Sequence, residues 1–135
     1  MNNEKLIEMA KKAREFSCSY MSKFKVGAAL LTKSGKVFLG CNIEDPSGIG
    51  VTNICAERCA VVKALSEGYS DFEKIAVVGG INELAACTPC GACRQFLNSF
   101  CPQIKIICID EKNTVKEYLL NEILPYSFND KFHNV

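Results

Sequence analysis

Cys-Ala-Glu-Arg at residues 55–58 is the stretch around which this chain is organised, and its counterpart is Pro-Cys-Gly-Ala-Cys-Arg at residues 89–94. Each stretch follows a loop and opens a predicted helix, where unpaired backbone N–H groups favour thiolate over thiol. A catalytic zinc ion takes three protein ligands and leaves a fourth position for water. The sequence therefore predicts a hydrolytic zinc site with three thiolate ligands, which are Cys55, Cys90 and Cys93.

Charged residues beside these ligands supply the rest of the predicted chemistry. Glu57 lies two residues after the first ligand, so it points differently from that ligand and suits a proton carrier. Three thiolates outweigh the two charges of Zn²⁺ and make the metal a weaker Lewis acid. Arg58 is predicted to donate hydrogen bonds to ligand sulfurs and to draw off that charge, and Arg94 is a second candidate. The alternative for either arginine is an ion pair at the surface.

The composition limits the class of protein and its partners. The chain has 135 residues, of which 48% are hydrophobic and 23% charged, which suits one globular domain over residues 1–135. The formal net charge is +1 with no block of like charges, which argues against a nucleic-acid partner. No apolar run is long enough to cross a membrane, and the chain opens on a helical pattern rather than a signal peptide. The sequence therefore predicts a cytoplasmic protein.

The chain has nine cysteines, an odd number, and most of them lie within apolar segments. Reduced thiols in a cytosolic protein explain this pattern better than a disulfide framework does. Cys59 and Cys87 remain open as a fourth ligand, which would close the metal site and make it structural. An iron–sulfur protein is a further alternative, because Cys87, Cys90 and Cys93 are evenly spaced, but it leaves the Cys-Ala-Glu stretch without a role. The single histidine, His133, lies in a polar tail, which disfavours a histidine ligand or base.

Hydrophobic periodicity predicts strands that alternate with helices. Apolar residues on both faces of residues 24–32 indicate an inner strand that is covered from two sides. Residues 115–119 fit either a strand or the start of a helix. This order of elements predicts an α/β layered domain with a mixed sheet. The predicted helices are residues 3–16, 53–67 and 90–100, and the predicted strands are residues 24–32, 36–43, 74–79 and 104–110.

Three further stretches complete a pattern together with the two cysteine motifs. They are Ser-Lys-Phe-Lys-Val-Gly-Ala at residues 22–28, Gly-Cys-Asn-Ile-Glu at residues 40–44 and Glu-Ile-Leu-Pro-Tyr-Ser-Phe at residues 122–128. The chain resembles, over nearly its whole length, the cytidine deaminases, specifically their small homotetrameric branch with three cysteine ligands. The resemblance implies a single-domain, three-layer α/β/α fold with a five-stranded mixed sheet. It also implies that residues 115–118 form the fifth strand and that a short helix follows.

The resemblance further implies an activity and a cofactor. The activity is zinc-dependent hydrolytic deamination of cytidine and deoxycytidine in pyrimidine salvage, with one zinc ion per chain. Glu57 would carry protons between the attacking water, ring N3 and the departing amino group. Asn42 and Glu44 would hold the sugar hydroxyls of the nucleoside, and Phe24 would pack near its base.

Three more positions gain implied roles from the same resemblance. The Ala56 backbone would help to hold the base, and the Thr88 carbonyl would face the amino group that leaves. Phe128 would reach into the site of a neighbouring subunit of a homotetramer. The implied partners are therefore a small-molecule nucleoside and further copies of this chain.

Two features depart from the family pattern. Tyr20-Met21 stands where Pro-Tyr is usual, and the loop at residues 45–54 is longer than usual and lacks an aromatic residue often found there. That loop is expected to lie over the substrate, so a modified cytosine nucleoside of the blasticidin kind is the alternative substrate. A base within a polynucleotide is disfavoured, because a chain of net charge +1 offers little basic track for phosphates.

Overall fold

The computed structural model describes residues 1–128, and His133 lies outside them. Strands and helices alternate along most of this length, as the periodicity predicts. The helices are α1 (Asn3–Arg14), α2 (Ala56–Ser66), α3 (Gly91–Phe100) and α4 (Leu120–Ile123), and the strands are β1 (Lys25–Thr32), β2 (Val37–Cys41), β3 (Phe72–Gly80), β4 (Lys105–Ile109) and β5 (Val115–Leu119).

The five strands form one mixed sheet in the order β2-β1-β3-β4-β5. Only the β3–β4 pair is parallel among these strands, and α3 lies in the crossover that this pairing requires. β1 pairs on both sides, with Ala28 opposite Gly40 of β2 and Val77 of β3. Six consecutive residues of β1 are buried, which confirms the prediction of an inner strand covered on both faces.

Helices cover both faces of the sheet. On one face, Leu6 and Ala10 of α1 pack in one hydrophobic cluster with Ala29 and Val78 of the sheet. On the other face, the side chains of α2 and α3 pack on Ala28, Leu30, Ile75 and Val77. Each fully buried Leu, Ile or Val side chain contributes roughly 1.5–3 kcal/mol through its removal from water. The predicted three-layer α/β/α fold is therefore confirmed.

Residues 115–119, for which the periodicity fits two interpretations, form strand β5. β5 pairs antiparallel with β4 at the edge of the sheet, and α4 follows directly at Leu120. All five β5 residues are at least partly exposed, so the alternation that marks a half-buried strand is absent. This is the strand and short helix that the family resemblance implies.

Helix α2 begins at Ala56, three residues later than the periodicity predicts. The backbone N–H of Asp45 donates to Asn53 Oδ1 at 2.6 Å, and Ile54 pairs with Ile43 in an isolated bridge. These contacts keep residues 53 and 54 extended. Helix α2 is not buried around its whole axis, since Val62 is 41% exposed.

Gly40 of β2 is the point where the sheet touches α2. A Cβ atom at Gly40 would lie 2.4 Å from the Ala56 carbonyl oxygen and 2.6 Å from the Ala60 nitrogen. Only glycine permits this approach, and the helix that carries the first predicted ligand is therefore seated directly on the strand. Within the described part of the chain, none of the helices could serve as a membrane span.

Candidate active site

Two of the predicted ligands occupy the N-cap positions of helices. Cys55 caps α2 and Cys90 caps α3, both with extended backbone (φ −77°, ψ 155° and φ −66°, ψ 167°). Neither side chain makes the usual hydrogen bond to an N–H group of its own helix. Both sulfurs are therefore directed to a shared space rather than to their helices, and Cys93 joins them from the first turn of α3.

The three sulfurs form a cluster with the geometry of a metal site. The Sγ atoms of Cys55, Cys90 and Cys93 all lie within 4.8 Å of one another, and those of Cys55 and Cys90 are 3.7 Å apart. Tetrahedral zinc with Zn–S bonds of about 2.3 Å requires sulfurs about 3.8 Å apart. Cys93 is buried, Cys55 half-buried and Cys90 exposed, so the cluster opens to one side. The donor set and spacing therefore fit zinc with a free coordination position.

Arg58, which the sequence predicts to donate to the ligand sulfurs, lies against this cluster. Its Nη2 donates to Cys55 Sγ at 3.5 Å, and its buried Nε has no hydrogen-bond partner among the described residues. Hydrogen bonds from Cys93 first, and then from Arg58 and Cys90, lower the pKa of Cys55 to about 5. The hydrogen bond with Cys55, together with burial, raises the pKa of Cys93. The surroundings of Cys55 therefore favour its thiolate form, and those of Cys93 favour its thiol form.

Glu57 is a carboxyl group held out of water in the first turn of α2. It is 4% exposed and does not belong to the sulfur cluster. Burial, and after it the negative charge of Cys55, raises the pKa of Glu57 to about 7. A carboxyl with a pKa near neutrality can both accept and release a proton at physiological pH. This is the property that the predicted proton carrier requires.

Two cysteines of the cluster, Cys55 and Cys90, border a cavity of about 200 Å³ together with Glu57. Four of the six predicted substrate-binding residues line it: Phe24, Asn42, Ala56 and Thr88. Val26 also lines it, and sequence reasoning missed this role. The signal for Val26 was present, since it lies two residues after Phe24 and therefore on the same face of an extended chain.

Asn42 is fixed by the beginning of β1. Its Nδ2 donates to the Phe24 carbonyl at 2.8 Å, and its Oδ1 accepts from the Val26 N–H at 2.9 Å. Ser17 Oγ donates to the same oxygen. An amide nitrogen has two N–H groups, so one remains available for a ligand at this wall of the cavity.

Glu44 and Phe128 do not line the cavity of their own chain. Glu44 Oε1 accepts from the backbone N–H groups of Met21 (2.8 Å) and Ser22 (3.1 Å). The side chain of Ser22, and then these two N–H groups, lower the pKa of Glu44 and keep it ionised. Phe128 is 57% exposed. Its carbonyl accepts from Gln95 Nε2 at 2.8 Å and from Asn98 Nδ2 at 3.1 Å, on the outer face of α3.

Cys59 and Cys87, which the sequence leaves open as a fourth ligand, lie apart from the sulfur cluster. Cys59 lines a different cavity, of about 250 Å³, together with Cys41 and Lys63. Cys87 lines the same cavity as Glu57, but burial and then the charge of Glu57 raise its pKa to about 12. Cys87 is therefore a neutral thiol in the cavity wall.

A zinc-type sulfur cluster beside a buried carboxyl, on a three-layer α/β/α sandwich, defines a class of hydrolytic metalloenzyme. Residues 1–109 match the family model described as the cytidine and deoxycytidylate deaminase zinc-binding region, and the chain belongs to this family. It is 42% identical over 130 residues to a cytidine deaminase of Sporosarcina psychrophila, which covers 96% of this chain and 93% of that protein. The crystal structure of the cytidine deaminase from Burkholderia pseudomallei matches with a TM-score of 0.85 and 41% identity, covering 95% of this chain and 100% of that one.

One more distant relative bears on the choice of substrate. A blasticidin-S deaminase of Bacillus cereus is 28% identical over 113 residues, covering 79% of this chain and 79% of that protein. The family match confirms the resemblance inferred from the five sequence motifs. Together with the sulfur geometry it also confirms the prediction of a zinc cofactor.

Proposed function

We propose that this protein hydrolytically deaminates free cytidine and deoxycytidine, releasing ammonia and the corresponding uracil nucleoside. The observation that carries the proposal is the position of Glu57, buried at the same small cavity that Cys55 and Cys90 border. Relatives that are named cytidine deaminases and match nearly the whole chain support the same reaction.

Residues of this chain supply the metal ligands and the proton transfers. Cys55, Cys90 and Cys93 hold the zinc ion, which when bound acts as a Lewis acid and lowers the pKa of a coordinated water. Glu57 transfers both protons of the attacking water in turn, the first to ring N3 and the second, from the new C4 hydroxyl, to the amino group. The C4–O bond forms first, as N3 gains its proton, and the C4–N bond of the resulting tetrahedral adduct then breaks, so water and cytidine give uridine and ammonia. Arg58 holds the Cys55 sulfur and draws off part of the thiolate charge.

The cavity walls suit a pyrimidine nucleoside. Phe24 provides an aromatic wall for the base, and the remaining amide N–H of Asn42 can donate to a sugar hydroxyl. Glu44 follows Asn42 by two residues in the sequence, and its carboxylate is held ionised. It disfavours a 5′-phosphate by like-charge repulsion, so free nucleosides are the proposed substrates rather than nucleotides.

We also propose that the enzyme works as a homotetramer in the cytoplasm, as part of pyrimidine salvage. The exposed side chain of Phe128 supports the sharing of sites between subunits, because it lies outside the cavity of its own chain. Removal of residues 127–135 should then raise KM for the nucleoside, whereas the zinc content should stay close to one ion per chain. An active monomer, detected by light scattering, would exclude this assembly.

One assay tests the proposed substrate. Ammonia release is measured with cytidine, deoxycytidine, their 5′-monophosphates, free cytosine and a bulky modified cytosine nucleoside. We expect both nucleosides to be turned over and the monophosphates to react poorly. A preference for the monophosphates would contradict the role given to Glu44, and absence of ammonia from every compound would contradict the deaminase function.

The bulky nucleoside in that panel tests a second candidate, deamination of a modified cytosine nucleoside. The loop at residues 45–54 favours this candidate, because it departs from the family pattern and exposes Ile49 (53%) and Val51 (91%). The blasticidin-S deaminase relative supports it as well. Turnover of the bulky nucleoside, with cytidine almost inert, would establish the second candidate and leave the roles of the cysteines and Glu57 unchanged.

A further inference from the structure

The sequence suggests that Arg94 donates hydrogen bonds to the ligand sulfurs. In the structure of residues 1–128, Arg94 lies in the first turn of α3 and makes no such bond. Its three nitrogen atoms instead donate to three different oxygens. Nε donates to the Pro89 carbonyl at 2.7 Å, Nη2 to Thr88 Oγ1 at 2.9 Å and Nη1 to the Ile123 carbonyl at 2.6 Å. The side chain is half-buried and makes none of the ion pairs found among the described residues. Both sequence-based interpretations of Arg94 are therefore wrong.

Two of these three bonds hold the turn that carries a metal ligand. Thr88 lines the cavity and Pro89 immediately precedes Cys90. Among the described residues, no backbone–backbone hydrogen bond reaches positions 86–89. Proline has no N–H group of its own to donate. The Arg94 guanidinium is therefore the main polar anchor of this wall of the cavity.

The third bond connects the same guanidinium to the C-terminal part of the described chain. Ile123 is the last residue of α4, and five residues later the Phe128 carbonyl is held by Gln95 and Asn98 of α3. Three neighbouring positions of α3 thus hold the segment at residues 123–128. Arg94 alone among the three also contacts the cavity wall.

We propose that Arg94 is a positioning residue that ties the Thr88–Pro89 wall of the cavity to the C-terminal segment. The expected effect of Arg94 on catalysis rests on the deaminase function proposed above. The link that Arg94 makes between the two segments does not depend on that function. A planar guanidinium with donors in a fixed fork can satisfy three acceptors that lie in different directions. An ammonium group at the same position is a point charge on a flexible stem and cannot hold all three at once.

The tie can be tested with Arg94→Met, which removes all three bonds, and Arg94→Lys, which keeps the charge. Tyr126 is fully exposed and offers a chymotrypsin site within the held segment. We expect cleavage after Tyr126 to be about tenfold faster in both variants, as loss of a hydrogen bond to a charged group implies. We also expect kcat to fall about tenfold with a smaller change in KM, and zinc content to stay at one ion per chain.

Two further variants complete the test: one removes a single bond of Arg94, and the other is a control at an unrelated cation. Thr88→Val removes only the bond at the cavity wall, so it should lower kcat without faster cleavage after Tyr126. Lys36→Met removes an exposed cation that bonds to Glu67, and it should change neither readout. If Arg94→Met does not fold, Arg94→Lys alone gives the cleavage and kinetic measurements.

The outcomes distinguish this proposal from its alternatives. A lowered melting temperature with wild-type cleavage and wild-type kinetics would overturn it, because Arg94 would then be structural only. Loss of zinc from Arg94→Lys would also overturn it, because Arg94 would then act on the ligands. If even the unmodified protein releases no ammonia from the nucleosides, the proposed function fails, whereas faster cleavage of the Arg94 variants would still support the tie.

Discussion

Arg58 Nη2 lies 3.5 Å from Cys55 Sγ, three residues back along the same chain. The guanidinium therefore folds back toward the N-terminus of α2, where the helix dipole is also positive. Both effects favour negative charge on the sulfur. Since three thiolates would carry more charge than one Zn²⁺ neutralises, we propose that the arginine offsets part of the excess at the ligand that it touches.

Replacement of Arg58 with methionine should weaken zinc binding. The methionine keeps much of the length of the side chain but removes the donor to Cys55 Sγ, so we expect zinc affinity or activity to fall about 10–100-fold. Competition with a chelator at fixed pH measures the affinity. Lys63→Met, in the last turn of the same helix, is the matched control and should bind zinc as the wild type does. Equal affinities for all three proteins would reduce Arg58 to a packing role.

Replacement of Glu57 with glutamine should abolish most turnover and keep the metal. Glutamine has nearly the same shape and cannot carry the proton, so we expect ammonia release to fall at least about a hundredfold. Zinc content and the melting temperature report on the fold of the variant. Loss of zinc together with activity would move Glu57 into the ligand shell and contradict its role as proton carrier.

Cys59→Ala and Cys87→Ala should each keep zinc and activity. Neither sulfur lies in the cluster of three, and each change removes only a partly buried thiol, at a cost of about 1 kcal/mol in the free energy of unfolding. Metal analysis of the purified variants is the measurement, and Cys90→Ala is the comparison that should lose zinc. A metal-free Cys59→Ala or Cys87→Ala protein would indicate a closed, structural site.

Gly40→Ala should lower both stability and activity, because it displaces the helix that carries site residues. The new methyl group would meet the backbone of Ala56 and Ala60, which cannot move without moving α2 and the residues at its start. We expect a loss of about 1–3 kcal/mol in the free energy of unfolding, with a fall in activity of the folded fraction. Urea unfolding and kinetics measure the two effects. Gly50→Ala adds a methyl group to open space and should be neutral, so an equal loss there would refute the explanation from close approach.

The cluster of three cysteines that could hold a metal ion is predictable from the sequence alone, because the chemistry of zinc restricts both the residue types and their spacing. The strands that are buried on both faces are predictable for a similar reason, since continuous apolar runs leave few alternatives. Strand β5 is not predictable from its own periodicity, because an edge strand with exposed residues on both faces lacks the alternating pattern. Family resemblance supplied that assignment.

The contacts that sequence reasoning missed join residues far apart in the chain. Arg94 donates to Ile123, and nothing near either residue indicates the other. Helix α2 starts three residues later than the periodicity predicts, because the Asn53 side chain accepts from the Asp45 N–H and keeps this part of the chain in the loop. Val62 is apolar, but the position of α2 on the sheet leaves it 41% exposed, which its residue type does not indicate.

Cys55 and Cys90 cap α2 and α3 without hydrogen-bonding to their own helices. The stability of these two helix ends therefore depends on whether zinc is bound. A helix whose first N–H groups lack a side-chain acceptor frays at that end unless something else fixes it. A metal ion held by Cys55 and Cys90 would act as a clasp that fastens both helix ends to each other. Without zinc, the backbone amide protons in these first turns would exchange faster with solvent. Newly synthesised chains that have not yet bound zinc would therefore be more susceptible to proteases than zinc-loaded chains.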